Sequence, residues 1–336
     1  MNRISSSSTA GRLVVAAALA TMMATFSGAA VAQAWPAKPV RIVHGFPPGS
    51  APDSVIRMIA EKFTPAMGQT FLIENRTGAA GTIAGTAVAQ SAPDGYTLML
   101  GVAANVTVAP HLLPSAKYNP TTDFAAIGLI QRSPYYIAVR TDVPINSFRE
   151  LISTAKAKPG ALNYASIGIG SQHHLTWEVM EARLGFKVTH IPLSGTAQAI
   201  AETLGGRTEL IIDSAGTAFA SQAKAGKLRM LATTSAKPLA LFPDVMPVAD
   251  QGLPGFESLA WWGLLAPAGT PAPIITRLNA ELNKAVASAD IADRLRQEGA
   301  LTNDTIGNTP ADFTRWIATE YERWGRVIKE TGIKVQ

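Results

Sequence analysis

The sequence predicts an α/β protein with a mixed, mainly parallel sheet in each of two domains. Short β-branched runs alternate with amphipathic helical stretches, the pattern of parallel α/β sheets. The rhythm of the first half starts again in the second. About 300 of the 336 residues follow an amino-terminal leader, enough chain to bury two cores.

Val40 to Phe46 reads as the first strand, broken by Pro47-Pro48-Gly49-Ser50. Pro52-Asp53-Ser54 then opens a helix with Val55, Met58, Ile59 and Phe63 on one face. Thr70 to Glu74 is a strand, Gly78-Ala79-Ala80-Gly81 leads a small-residue helix to Gln90, and Pro93-Asp94-Gly95 turns into strand Tyr96 to Gly101. Ser147 to Glu150 is a capping box opening a helix to about Lys158. Strand Leu162 to Ser166 precedes Gly168-Ile169-Gly170-Ser171 and a helix carrying Leu175, Val179 and Met180. Strand Val188 to Ile191, a helix to Leu204, strand Glu209 to Ile212, a helix to Ala225 and strand Leu228 to Thr233 follow. A strand at Leu259 to Leu265 and a helix to about Ser288 come next. Thr309-Pro310 starts the last helix, where Phe313, Trp316, Ile317, Tyr321, Trp324 and Ile328 are spaced as one buried stripe. No Pro- or Ser-rich tether separates the halves, so the domains are expected to join through strands and to move about a hinge. The crossover is placed at Ser133-Pro134-Tyr135, with a return between Thr234 and Phe256.

The leader has Arg3 and Arg12, no acid, a short apolar centre from Leu13 and an Ala32-Gln33-Ala34 exit. That is the pattern of a secretory signal peptide cleaved near Ala34, too short and Ala-rich for a membrane span. Its removal lowers the formal net charge from +5 to +3. With no Cys in the chain, disulfides, thiolate metal sites and lipid attachment through a thiol are excluded. No dense Lys or Arg run remains, so a nucleic-acid partner is not expected.

Several loops that follow strand ends are rich in Gly, Ser and Thr and start helices. They place candidate ligand contacts at Phe46, Pro47, Gly49, Ser50 and Asp53, at Gly81 and Thr82, and at Ala104 and Asn105. The second half adds Ser166, Gly168, Gly170, Ser171 and His174, then Gly195 and Thr196, and Asp213. Ligands of open α/β sheets sit beyond the carboxyl ends of the strands. Helix starts there offer unpaired N–H groups to an anion, so a carboxylate could be gripped without Arg. Each loop can equally be a plain turn, each hydroxyl a helix cap, and Asp213 a cap or a partner for a ligand amine. Both S-x-x-K matches, at Ser153 and Ser221, lie within helices and lack companion motifs, and there is no nucleophile elbow or P-loop. His173 and His174 point about 100° apart on a helix, which disfavours a shared metal. His44 reads as a buried polar residue with a backbone partner.

At these loops the sequence resembles the periplasmic solute receptors of tripartite tricarboxylate transporters, the TctC or Bug receptors. The resemblance rests on Trp35 to Arg41, Phe46-Pro47-Pro48-Gly49, Glu74-Asn75-Arg76, Pro93 to Leu98, Leu162 to Ser166, Gly170-Ser171 with His174-Leu175, Lys224 to Arg229, Pro254 to Glu257 and Ala266 to Pro271. It implies a two-lobe flytrap closing on a small carboxylate: residues 35–135 and 256–336 as lobe 1, and an inserted lobe 2 at 136–255. It also places the Phe46 to Asp53 and Gly170-Ser171 loops at the cleft. The sequence departs from the family at Ser50-Ala51-Pro52, at Leu193-Ser194 and at His44.

The expectation is therefore a monomeric, cofactor-free periplasmic receptor that delivers a small organic carboxylate to membrane transporter subunits and catalyses nothing. Two alternatives stand beside it: an exported hydrolase using Ser171 with His174, and a receptor serving a signalling partner. Ser171→Ala is expected to weaken binding while leaving the unliganded protein's stability nearly unchanged.

Overall fold

The computed structural model describes residues 35–301 and 308–332, so the leader and its Ala34 exit lie outside the described residues. The chain divides into an amino-terminal unit, Met1–Ala37, and a second unit, Lys38–Gln336, which holds every strand and helix below.

Strand β1 (Val40–His44) pairs parallel with β2 (Phe71–Asn75) and with β3 (Thr97–Val102). Helix α1 (Ala51–Met67) lies between β1 and β2 in sequence. Pro52 fits its first turn because an N–H there has no intrahelical partner. Its buried face carries Val55, Ile56, Ile59, Ala60, Phe63 and Met67, and Gly68 in the left-handed region ends it. Helix α2 (Thr82–Ala89) precedes β3; a π-helical turn, Ala104–Val108, and a short helix α3 (Ala109–Leu112) follow it.

The long strand β4 (Phe124–Arg140) is the axis of the molecule. From Phe124 to Pro134 it pairs antiparallel with β9 (Leu259–Pro267), and from Tyr135 onward with β7 (Leu210–Ser214). Alternation does not reveal this strand because both of its faces are covered and nearly every position is buried. Pro134 would normally argue against a central strand. It sits where the partner changes from β9 to β7, a place where a missing N–H is tolerated.

The second half-sheet repeats the plan. Strand β5 (Asn163–Ser166) pairs parallel with β6 (Thr189–Pro192) and with β7, while β8 (Leu228–Thr233) pairs antiparallel with β4. Helices α4 (Phe148–Ala157), α5 (Gln172–Leu184), α6 (Thr196–Leu204) and α7 (Thr217–Lys224) connect these strands. Each half-sheet is thus mixed, with parallel outer pairs and antiparallel pairs along the centre.

Helices α8 (Ala272–Ala287), α9 (Ala289–Gln297) and α10 (Pro310–Thr331) complete the fold. Thr309 and Asp312 form a reciprocal capping box at the start of α10. The stripe on α10 serves two cores. Phe313 and Ile317 pack with Trp261 and Leu265, whereas Trp324 and Val327 pack with Tyr135, Trp177 and Phe148.

Strand directions fix where a ligand can sit. Because β3 and β4 both run antiparallel to β9, β1, β2 and β3 run the same way as β4. Because β7 runs antiparallel to β4, β5, β6 and β7 point back the other way. The carboxyl ends of the two parallel sets therefore face each other across the Pro134–Tyr135 switch.

Candidate functional site

Loops from both half-sheets converge at this switch. On one side are the segments after β1, β2 and β3; on the other are those after β5, β6 and β7. Among the first set the backbones touch. A Cβ on Gly45 would lie 2.4 Å from Gly81 Cα, and a Cβ on Gly81 would lie 2.9 Å from Asn105 Nδ2. Gly81 has φ +84°, and Ala79 and Ala80 before it also take positive φ, so the approach to α2 is a strained turn.

Asp53 organises the first loop from beneath. It is 2 % exposed, and its carboxylate accepts from Gly49 N–H at 2.9 Å, Arg57 Nε at 2.9 Å, Arg57 Nη2 at 3.0 Å and Asn75 Nδ2 at 2.8 Å. Those donors outweigh burial and hold its pKa well below the usual carboxylate range. His44 completes the hub. Its Nδ1 accepts Phe46 N–H at 3.2 Å, so Nε2 carries the proton and meets Asp53 Oδ1 at 3.1 Å. Burial lowers the His44 pKa, in keeping with a neutral ring. Asp53 thus shapes the loop and offers a ligand no free oxygen. Arg57 lies one helical turn after Asp53, a spacing legible in the sequence, and Asn75 closes β2; both belong to this hub.

Most hydroxyls among the candidate contacts are engaged within their own turns. Ser50 Oγ donates to Pro47 O at 2.8 Å, and Thr82 Oγ1 donates to Ala79 O at 2.8 Å. Ser171 Oγ donates to Gly168 O at 2.7 Å and accepts the His174 backbone N–H at 3.3 Å, capping α5. Ser166 Oγ accepts Gly168 N–H at 3.1 Å and lies 2.6 Å from His190 Nε2. What remains is backbone. The N-caps of α1, α2, α6 and α7, namely Ser50, Gly81, Gly195 and Gly216, make no side-chain cap bond. Half-buried Thr196 begins α6, while Phe46, Pro47 and Gly49 line the first loop and Ala104 opens the π turn.

The serine–histidine pair does not form a nucleophilic dyad. Ser171 meets the backbone of His174, not its ring; His174 Nδ1 accepts Gly170 N–H at 3.2 Å, and Nε2 faces Glu178 at 3.6 Å. A general base must reach the proton it removes. The S171A expectation changes for the same reason: losing a capping hydroxyl costs about 1 kcal/mol.

Behind these loops, His174 stacks on His190 at 4.2 Å, His190 on Tyr164 at 4.8 Å and Tyr164 on Trp177 at 4.2 Å. Burial and the neighbouring His174 push the His190 pKa down to about 4. Asp213, 1 % exposed at the end of β7, accepts Ser214 N–H at 2.7 Å and faces His173 Nε2 at 3.2 Å. Its Oδ2 has no partner among the described residues, and neither do His173 Nδ1 and Asn105 Nδ2. Asn105 Oδ1 accepts Val102 N–H at 2.8 Å, which fixes the amide beneath Gly81. Among the described residues, no three His, Asp or Glu side chains form a metal-ligating group, and no helix is long and apolar enough to cross a membrane.

Residues 55–333 match the family described as tripartite tricarboxylate transporter family receptor. The chain is 34 % identical over 322 residues to the UPF0065 protein of the tcbD–tcbE intergenic region of Pseudomonas sp. strain P51, covering 95 % of this chain and 94 % of that one. It is similar to Rhodopseudomonas palustris Rpa4515, solved with adipate (34 % identity, TM-score 0.76, 89 % of this chain and 99 % of that one). It is also similar to MatC of the same organism, solved with bound malate (32 % identity, TM-score 0.75, 88 % and 100 %).

Proposed function

Because the chain belongs to the tripartite tricarboxylate transporter receptor family, we propose that it captures a small organic carboxylate between its two lobes and delivers it to a membrane transporter. The lobes are residues 35–135 with 256–336, and 136–255. The observation that carries the reading is the opposition of uncapped helix starts: α1 and α2 on one side, α6 on the other. First-turn N–H groups and the positive end of the helix dipole stabilise an anion in such a place. The one cation in these loops, Arg76, is paired with Glu74 at 2.6 Å, so backbone rather than guanidinium does the binding. Gly49, Ser50, Gly81, Thr82, Gly170, Ser171, Gly195 and Thr196 form the cleft wall, with Asp53, Asn105, Ser166, His174 and Asp213 bracing it from behind. No bond is made or broken. Export through the leader puts the mature protein in the periplasm, as a monomer.

A thermal-shift screen of mono-, di- and tricarboxylates tests this. A ligand at 100 times its dissociation constant stabilises the protein by about 2.7 kcal/mol. Turnover of a simple ester, or no shift with any acid, would overturn it.

A further inference from the structure

From the apolar side chains standing on the two facing loop sets, we infer that Ile83 and Ile169 are specificity residues that select a carboxylate with a bare hydrocarbon body. This rests on the receptor reading above and adds the substrate class.

Five large hydrophobic side chains are strongly exposed among the described residues, and two of them stand at the carboxyl ends of the strands, one from each half-sheet. Ile83, 49 % exposed, is in the first turn of α2, directly after Gly81 and Thr82. Ile169, 55 % exposed, is at the tip of the turn between β5 and α5. Leaving an isoleucine half in water forgoes about 1 kcal/mol of burial, so two of them in a binding cleft point to an apolar occupant.

The backbone is built to present both. Gly168 and Gly170 flank Ile169 with φ +125° and +73°, a backbone region that L side chains rarely adopt, so glycine on both sides lets the chain turn tightly around it. Gly78 has φ +120°, and a Cβ there would lie 2.8 Å from Ile83 Cδ1, so that glycine makes room for the isoleucine. Pro47, Pro48, Ala79 and Ala80 add further apolar, exposed surface on the same side.

The polar side of the cleft leads the same way. Ser50, Thr82 and Ser171 already donate to carbonyls of their own turns. The free oxygen of Asp213 is buried. A ligand hydroxyl or ammonium held against the two isoleucine side chains would lose water and find no polar partner on either of them. Apolar sites discriminate by roughly 10- to 200-fold per methylene, and against an added hydroxyl by roughly 100-fold. Relatives solved with adipate and with malate span both ligand kinds, so family membership does not decide between them.

The test is calorimetric titration of the full mature chain with adipate, malate and citrate, in wild type, Ile83→Ser and Ile169→Ser. Both positions are exposed, so the variants should keep the wild-type melting temperature. The expected result is adipate at least tenfold tighter than malate, with each variant losing about three- to tenfold for adipate and under twofold for malate. Malate or citrate as tight as adipate, or adipate unchanged in both variants, overturns the inference while leaving the receptor reading standing. Silence towards all three acids here, and towards every acid of the thermal-shift screen above, overturns the receptor reading and takes the inference with it.

Discussion

Asp53 shows how one carboxylate can build a loop. Buried and surrounded by Gly49 N–H, Arg57, Asn75 and His44, it holds the turn from Phe46 to Gly49 against the start of α1. Hydrogen bonds to a charged group are each worth about 1.5–3 kcal/mol. Asp53→Ala should therefore destabilise the protein by at least about 2 kcal/mol, read as a lowered urea midpoint at neutral pH. The folded-state pKa lies below the ordinary value of 3.8, so this contribution is complete above about pH 5 and is lost progressively as the pH falls below that. Asp53→Asn should flatten that acid limb. Gly45 makes a second residue-scale prediction. Any side chain there meets the Gly81 backbone, so Gly45→Ala should cost about 1–3 kcal/mol and push apart the loops that begin α1 and α2. An unchanged melting temperature and unchanged ligand affinity would refute it.

At the scale of elements, the α5 start joins two roles. Ser171 caps the helix and Gly170 N–H is held by His174, so the loop after β5 is shaped by the helix that it opens. Ser171→Ala should lower unliganded stability by about 1 kcal/mol, and Ser171→Asp, a good cap, should restore it. The imidazole stack behind this loop predicts a pH response of definite sign. His190 titrates near 4 when folded and near 6.5 when unfolded, so the unfolded chain takes up protons first as pH falls. Stability should decline between pH 6.5 and 4, and His190→Phe should remove part of that decline in urea titrations. Most elements were legible beforehand, because strands flanked by Gly and Pro, and helices with caps and one apolar face, announce themselves locally. Strand β4 was not, since a strand buried on both faces carries no alternation. The turns follow the strands and start helices where the Gly and Ser clusters stand, but the sequence leaves the bonds of their hydroxyls open, because whether Ser50 or Ser171 bonds its own turn depends on backbone angles that residue type does not reveal. The exposure of Ile83 and Ile169 cannot be read from residue type, because it is a tertiary property.

At the scale of the molecule, the two half-sheets are joined by β4 and β9 and share α10. One end of that helix packs with Trp261 and the other with Trp177. The halves should therefore melt as one unit, with calorimetric and van't Hoff enthalpies in agreement; two resolved transitions would show that the shared elements do not couple them. Ligand binding across the Pro134–Tyr135 switch should shrink the radius of gyration in solution scattering, as hinge closure requires.

The same helix limits what an opening motion can look like. A clamp whose jaws are riveted by a common spar cannot swing far without prying the spar loose from one jaw. Wide gaping would uncover Trp324, so its fluorescence should redden on release of cargo, whereas a shallow rocking motion would leave its emission where it was. With six tryptophans in the chain, the reading needs a variant that keeps Trp324 and replaces the other five by Phe.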